Sequence, residues 1–562
     1  MSSTQKLFGL TLSAWFTVAG AVAGNNERGI DLYRAELYDA AKIFFLQQTD
    51  QSAQEQAENY YYLGQTYYAL QKEDSVAYYY AKAIESDATY PFGHVGLGKL
   101  ALLRGDMKAA DASFKTAIGL AKKDPSVQTA IAEAYIEANK LPQAEDALAK
   151  AEKINKNYSG IYMVKGNMAF KEGKREQAYS WYDQAIYFDP NDKVAYLKLA
   201  EAYKGVNYQV SLDYLKQLIN IDPDYIPAYA LIGDINFENG MYYQALDAYE
   251  KFISIEGVPL LQHERYAYLL YFTDQYDKSL QKIDFLLKYN PTNPVLYRIQ
   301  AYNNFKLGNM ALVIQGIEES FKNNPEDRHQ SMDYITYGQA LVKEKQLELA
   351  IPALQKAIAL DSTKVEIYKE LATIYQDLDD YPEAINMYGK YFELSNSISL
   401  LDYFNYGTML YTASTKYTDE AYLGSSLTPE QKQADNALFY SYIEKGNAAF
   451  GKAIELNPQL IVSYLRRANL NFLVDYKERE TKTSPLKGVA NPYYEEALKG
   501  MLENNADGKY NEDIIGVYDY FASYYLLRDD KVNAGEYYKK IIGVDPTNAK
   551  AINTLKQLKI KY

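Results

Sequence analysis

The stretch Ser159–Asp192 reads SGIYMVKGNMAFKEGKREQAYSWYDQAIYFDPND, and its 34 residues decide the fold. With Ser159 as position 1, Tyr162, Gly166 and Ala169 fall at positions 4, 8 and 11, a stripe along one face of a helix. A second stripe runs through Ala178 at 20, Tyr182 at 24 and Ala185 at 27. Between them Lys171-Glu172-Gly173-Lys174 breaks the pattern, with Gly173 placed to take the positive φ that ends the first helix. Asp189-Pro190 closes the second helix, because proline has no backbone N–H for the next turn. The small Gly166, Ala178 and Ala185 let two helices approach closely, and Tyr162 and Tyr182 fill the space beside them.

The same pattern extends along the chain. A small residue recurs at position 8 as Gly29, Gly64, Gly98, Ala132, Gly166, Ala200, Gly233, Ala267, Ala301, Gly338, Ala372, Gly407, Ala468 and Ala522. Eleven of the thirteen intervals lie within three residues of 34, so the chain holds about fourteen copies. Prolines at or beside position 32 (Pro190, Pro223, Pro291, Pro325, Pro458 and Pro546) each follow Asp or Asn. A large residue at 4 and 24, a small one at 8, 20 and 27, and proline at 32 resemble the tetratricopeptide repeat. The resemblance implies an all-α superhelical solenoid of helix-turn-helix repeats, at about two superhelical turns for fourteen repeats. It implies protein or peptide partners on a concave surface.

Composition narrows the function. The net charge is −14 with no basic block, which disfavours nucleic acid and favours basic or neutral partners. Cysteine is absent, which excludes disulfides, thiol catalysis and lipidation after a signal peptide. Residues 1–23 read as a secretory signal peptide: Lys6, then an uncharged run from Leu7 to Ala23 ending in Ala-x-Ala. An uncleaved anchor is the rival reading. Secretion across the inner membrane, to a periplasm if the source is bacterial, is the expectation.

The regular array covers 24–399, and repeats with insertions cover 400–548. The insertions fall at 411–430 and 474–492, and a capping helix covers 549–562. Thr428-Pro429-Glu430-Gln431 resembles a capping box, predicting a long helix from about Pro429 to Leu456.

Enzyme signals are poor, and neither a cofactor nor a metal is predicted. His94 and His263 occupy position 4, where other repeats place tyrosine, and are read as packing residues. His329 lies in an expansion between repeats and is expected to be solvated. The run from Gly446 to Ala453 nearly spells a phosphate-binding loop, but Ala453 stands where the motif needs Ser or Thr. No span is free to fold as a separate catalytic domain.

By the resemblance, positions 2, 5, 9, 12 and 13 of the first helices line the groove. Position 12 is almost always apolar (Tyr33, Tyr68, Phe170), which reads as packing between neighbouring helices. Repeats eight and nine bring Tyr268, Phe272, Arg298 and Tyr302 into an expected aromatic and cationic patch, and Tyr61 and Phe92 join the candidate groove set. The carboxylate clamp known in the family is not assembled, since repeat five offers Asn167 at 9 but Met163 at 5. The expected role is a non-enzymatic scaffold of the bacterial envelope that binds protein or peptide partners. The alternative is a component of an outer-membrane nutrient or glycan uptake system, whose known members carry a lipidated cysteine that this chain lacks.

Overall fold

The computed structural model describes residues 26–48, 51–419, 422, 426–479, 481 and 483–561. The apolar segment read as a signal peptide lies outside them. Among the described residues there are 29 α-helices and no strand, paired as fourteen helix hairpins plus a last helix, Ala549–Gln557. The chain forms two compact units, Met1–Gly308 and Asn309–Tyr562.

Within a repeat, position 24 explains position 8. A Cβ added to Gly64 would overlap the Tyr80 ring, and one added to Gly166 would overlap Tyr182. Gly98 stands in the same relation to Phe114, and Gly233 to Tyr249. Each ring lies flat on the bare backbone of the partner helix, which is how paired helices come into contact. The turn after the first helix takes a left-handed residue in repeat after repeat: Gly173 has φ 76°, and Gln71, Asn139 and Asp274 hold 57°, 59° and 61°. At the end of the second helix the Asp before proline folds its own turn. Asp189 Oδ1 accepts from the Asn191 N–H at 3.0 Å, and Asp222 Oδ1 accepts from Asp224 N–H at 3.1 Å.

In the first unit the solenoid comes round on itself. The first hairpin, Glu27–Arg34 and Tyr38–Gln47, packs on repeats six and seven, more than 160 residues further along. Lys193 Nζ donates to Glu27 Oε1 at 2.8 Å, to Asp31 Oδ2 at 2.7 Å and to Asp222 Oδ2 at 3.1 Å. Gln47 donates to Glu256 at 3.3 Å, and Lys198 pairs with Glu36 at 3.6 Å. Gly257 lies against the backbone of Ala40, where an added Cβ would stand 2.7 Å from the Ala40 Cα. Leu37 packs into the apolar core of repeat seven, around Leu246, Tyr249 and Phe252. Repeats one to seven thus make one closed turn.

In the second unit a single helix spans Pro429–Leu456, 28 residues capped by Thr428 and Gln431. The phosphate-loop look-alike, 446–453, lies wholly inside it. The other insertion is pinned by one carboxylate. Asp475, with no exposed surface, accepts the backbone N–H groups of Gly488, Val489 and Ala490 at 2.7, 2.9 and 2.9 Å, just ahead of the helix Asn491–Glu503. Asp475→Asn exchanges one acceptor oxygen for a donor that faces an N–H, and should lower stability by about 2 kcal/mol in urea unfolding. An unchanged midpoint would show that the insertion does not depend on this anchor.

His329 is not solvated as expected. Its ring stacks on Phe321 with centroids 4.2 Å apart, and its nitrogens contact the Tyr334 hydroxyl and the Asn324 carbonyl at 3.0 Å each. The expansion folds back because Phe321 offers a ring to cover. His263 packs against Phe285, with a buried Nδ1. Burial, assisted by Lys282, drives its pKa down to about 4.

Candidate functional site

Closing the first turn forms a half-open cavity of about 570 Å³. Its wall comes from the first helices of repeats one to six, which project position 9 or 13 inward: Arg34, Gln65, Lys99, Glu133, Glu137, Asn167, Lys171 and Glu201. Tyr33, Tyr38, Tyr61 and Tyr62 form an aromatic side, faced by Phe170 and Tyr182. The volume falls in the range of small-ligand and short-peptide pockets.

The charges are mostly spent on one another. Lys99 Nζ pairs with Glu137 at 2.8 Å, donates to Gln65 Oε1 at 2.7 Å and stands 4.3 Å from the centroid of the Tyr68 ring. Lys198 pairs with Glu201 at 2.8 Å as well as with Glu36. Lys171 donates to the Ile136 carbonyl at 3.1 Å, and Arg34 is hydrogen-bonded to Tyr62. Burial pushes the Tyr33 and Tyr61 hydroxyls well above their ordinary range, so both are neutral donors at physiological pH. Glu133 is open to the cavity and has no hydrogen bond or ion pair. The protein crowded around it and then the neighbouring Glu137 push its carboxyl up to about 7, against the pull of Arg34 and Lys99, although the side chain keeps solvent-exposed surface.

Of the residues singled out in the sequence, Tyr61 lines this cavity. Phe92 does not; it packs on Tyr61 and Tyr90 with ring centroids 5.6 and 5.5 Å apart. In repeats eight and nine, Tyr268 stacks with Phe272 at 6.5 Å, Phe272 with Tyr242 at 4.3 Å, and Tyr302 lies 6.2 Å from Tyr271. Tyr302 thus reaches Phe272 only through Tyr271, and Phe272 is 40% exposed. Arg298 is not a surface cation: it is 9% exposed, because position 5 there faces the interior of the helix array. In repeat five position 12 also departs from its packing role, since Phe170 is 46% exposed and lines the cavity. Sequence reasoning passed over Arg34, Lys99, Glu133 and Lys171. Their signal was present, as polar or charged residues at position 9 or 13 in each of six consecutive repeats.

Among the described residues no cluster of His, Asp or Glu could hold a metal ion, and no helix is long and apolar enough to cross a membrane.

Family models described as tetratricopeptide repeat match residues 101–167 and residues 159–192, 226–258 and 334–364. The small glutamine-rich tetratricopeptide repeat-containing protein 2 of Mycosarcoma maydis is 31% identical over 116 residues, 20% of this chain and 30% of that protein. The TPR repeat-containing protein YpiA of Bacillus subtilis (strain 168) is 22% identical over 335 residues, 52% of this chain and 76% of its own. The chain spans under a third of the length of the small glutamine-rich relatives that it matches. Among solved structures, the C-terminal part of a TPR repeat-containing protein from Cytophaga hutchinsonii aligns at 26% identity and a TM-score of 0.36, covering 52% of this chain and 99% of that one. Proteins built from this repeat mediate protein–protein interaction. Helix hairpins that repeat along the described residues, with tetratricopeptide-repeat models matching four stretches between residues 101 and 364, show that this chain is built from tetratricopeptide repeats.

Proposed function

We propose that this protein is a non-enzymatic scaffold of the bacterial envelope that holds a partner protein through an extended segment seated in the cavity of repeats one to six. What supports the reading is the convergence of groove positions from six successive repeats on one half-open cavity, with polar groups beside aromatic rings on its wall. Envelope placement rests on the apolar run Leu7–Ala23 and its Ala-x-Ala ending. Detection of a mature N-terminus at Gly24 or close by would support it, and recovery of the native protein in the cytoplasmic fraction with Met1 intact would sink it.

Phe170 is the test residue, being both exposed and turned into the cavity. Phe170→Ala should reduce crosslinked recovery of partners at least tenfold, as loss of an aromatic anchor does, while leaving the melting temperature within about 1 °C. Tyr187→Ala is the control, since Tyr187 is 77% exposed and lies outside the cavity. Equal recovery with both variants would move the binding surface elsewhere.

A further inference from the structure

Repeat four breaks a rule that the other repeats keep. In repeats two to fourteen position 4 is tyrosine ten times and histidine twice, and only repeat four differs, with Gln128. The position 4 ring meets a large side chain at position 23 of the second helix. Tyr60 lies 6.1 Å from Tyr79, Tyr162 6.0 Å from Trp181 and Tyr518 6.0 Å from Tyr537, between ring centroids. Position 26 sets a lysine over the same ring. Lys251 Nζ stands 4.1 Å from the centroid of the Tyr229 ring, Lys540 5.7 Å from that of Tyr518 and Lys390 5.9 Å from that of Tyr368. Repeat four keeps the lysine, as Lys150, but has Gln128 at 4 and Ala147 at 23. Where rings meet in repeats two, five and fourteen, it has a slot of about 250 Å³.

We infer that this slot is a second binding point, and that it takes a tyrosine side chain carried by a partner protein. Its volume is smaller than that of a pocket for a whole small ligand and suits one side chain. The floor is buried and apolar, made by Phe114, Ile131 and Ala147 from the helices Met107–Leu120, Pro125–Glu137 and Leu141–Ile154. Tyr135 stands edge-on to Phe114 with centroids 5.3 Å apart, so an entering ring meets aromatic surface. Gln128 lines the slot at 6% exposure, and among the described residues its amide has no hydrogen-bond partner. A buried amide left unbonded is costly, and this one offers both a donor and an acceptor to a phenol hydroxyl. At the exposed rim Lys150 pairs with Asp146 at 2.5 Å, and it holds the sequence position from which other repeats cover a ring. Lys115 and Lys150 balance Asp111 and Asp146 there, so selection falls to the ring and its hydroxyl rather than to charge.

The slot is separate from the cavity. Gln128, Ile131 and Tyr135 lie on the side of their helix opposite Glu133 and Glu137, which line the cavity. The slot therefore grips a different part of a partner from the segment seated in the ring of repeats one to six.

The experiment uses the full chain and two capped pentapeptides, Gly-Ser-X-Ser-Gly, in which X is meta-fluorotyrosine or meta-fluorophenylalanine. Fluorine NMR line broadening gives the affinities. The fluorotyrosine peptide should bind about fivefold tighter than the fluorophenylalanine peptide, the effect of one neutral hydrogen bond. An excess of the unlabelled leucine peptide should displace neither. Gln128→Tyr restores the chain's own ring, and should abolish binding of both peptides and raise the melting temperature by about 2 °C. Ala147→Tyr closes the slot from the facing helix and should abolish binding as well. Phe170→Ala should leave it unchanged. No binding by the wild type would overturn the inference, as would binding that survives both slot-filling variants or is lost in Phe170→Ala. Equal affinity for the two peptides would remove tyrosine as the occupant. A lower melting temperature in Gln128→Tyr would show that the slot does not admit a ring. Sedimentation equilibrium provides the last check: self-association of the wild type that Gln128→Tyr removes would assign the slot to a second copy of this chain and overturn the partner assignment.

Discussion

Lys193→Ala should open the first turn of the solenoid and destabilise the chain by about 4 kcal/mol. The ammonium is shared by Glu27, Asp31 and Asp222, which belong to repeats one and six, and it lies 5.2 Å from the centroid of the Tyr225 ring. Burial opposes its charge, but the bonds to the three carboxylates outweigh burial and raise its pKa. Asp31 is only 7% exposed, and burial raises its carboxyl more than Lys193 lowers it. Without Lys193 a buried carboxylate stands uncompensated, which is where most of the loss arises. Hydrogen exchange is the direct measurement. Amides of Glu27–Arg34 and Tyr38–Gln47 should lose protection in the variant, while those of repeats three to five keep it. Adding Asp31→Asn to Lys193→Met should recover part of the stability, because neither partner is then charged. Since the chain has no cysteine, a Gln47→Cys, Glu256→Cys pair can be joined by a short bis-maleimide to hold the ring shut. Unchanged protection of the first hairpin in Lys193→Ala would mean that apolar packing around Leu37 closes the turn alone.

Gly166→Leu should lower stability by about 3 kcal/mol, and even Gly166→Ala should be destabilising. The Tyr182 ring lies across the bare Gly166 backbone, is 2% exposed, and donates its hydroxyl to Asn167 Oδ1 at 3.0 Å. The ring cannot swing aside without giving up that bond and its burial. Gly389 makes the contrast. It lies in the middle of the helix Tyr381–Leu394, and an added Cβ there would meet nothing within 4 Å. Gly389→Ala should stabilise by about 0.7 kcal/mol, the usual gain when glycine is replaced inside a helix. Opposite signs for one substitution at two helical glycines are the expected result of urea unfolding. Equal signs would mean that the close contact between paired helices is not what requires a small residue at position 8.

Much of this was legible because a repeat writes its local needs into every copy. Gly166 faces Tyr182, Gly173 turns left-handed, and Asp189 folds the turn before Pro190, all within 34 residues. The cap on Pro429–Leu456 was equally local, since Thr428 and Gln431 are three residues apart. The candidate site was less legible. Tyr268 stacks on Phe272 while Tyr302 lies against Tyr271, and Arg298 turned inward; no property of its own repeat distinguishes a buried position 5 from a groove position 5. Phe170 resembled every other apolar residue at position 12 until the surface that it faces was known.

By itself the sequence determined the repeat, its register and the number of hairpins, because those depend on contacts between a residue and its neighbours one helix away. Only the tertiary structure decided that repeat one meets repeats six and seven through Lys193, Gly257 and Leu37, and that a half-open cavity results. The small rotation from each repeat to the next adds up over seven repeats, so whether the turn closes depends on a sum that no single repeat displays. Glu133 could be read in the chain as one more charged residue at position 9. What left it without a partner is where six helices placed the other charges.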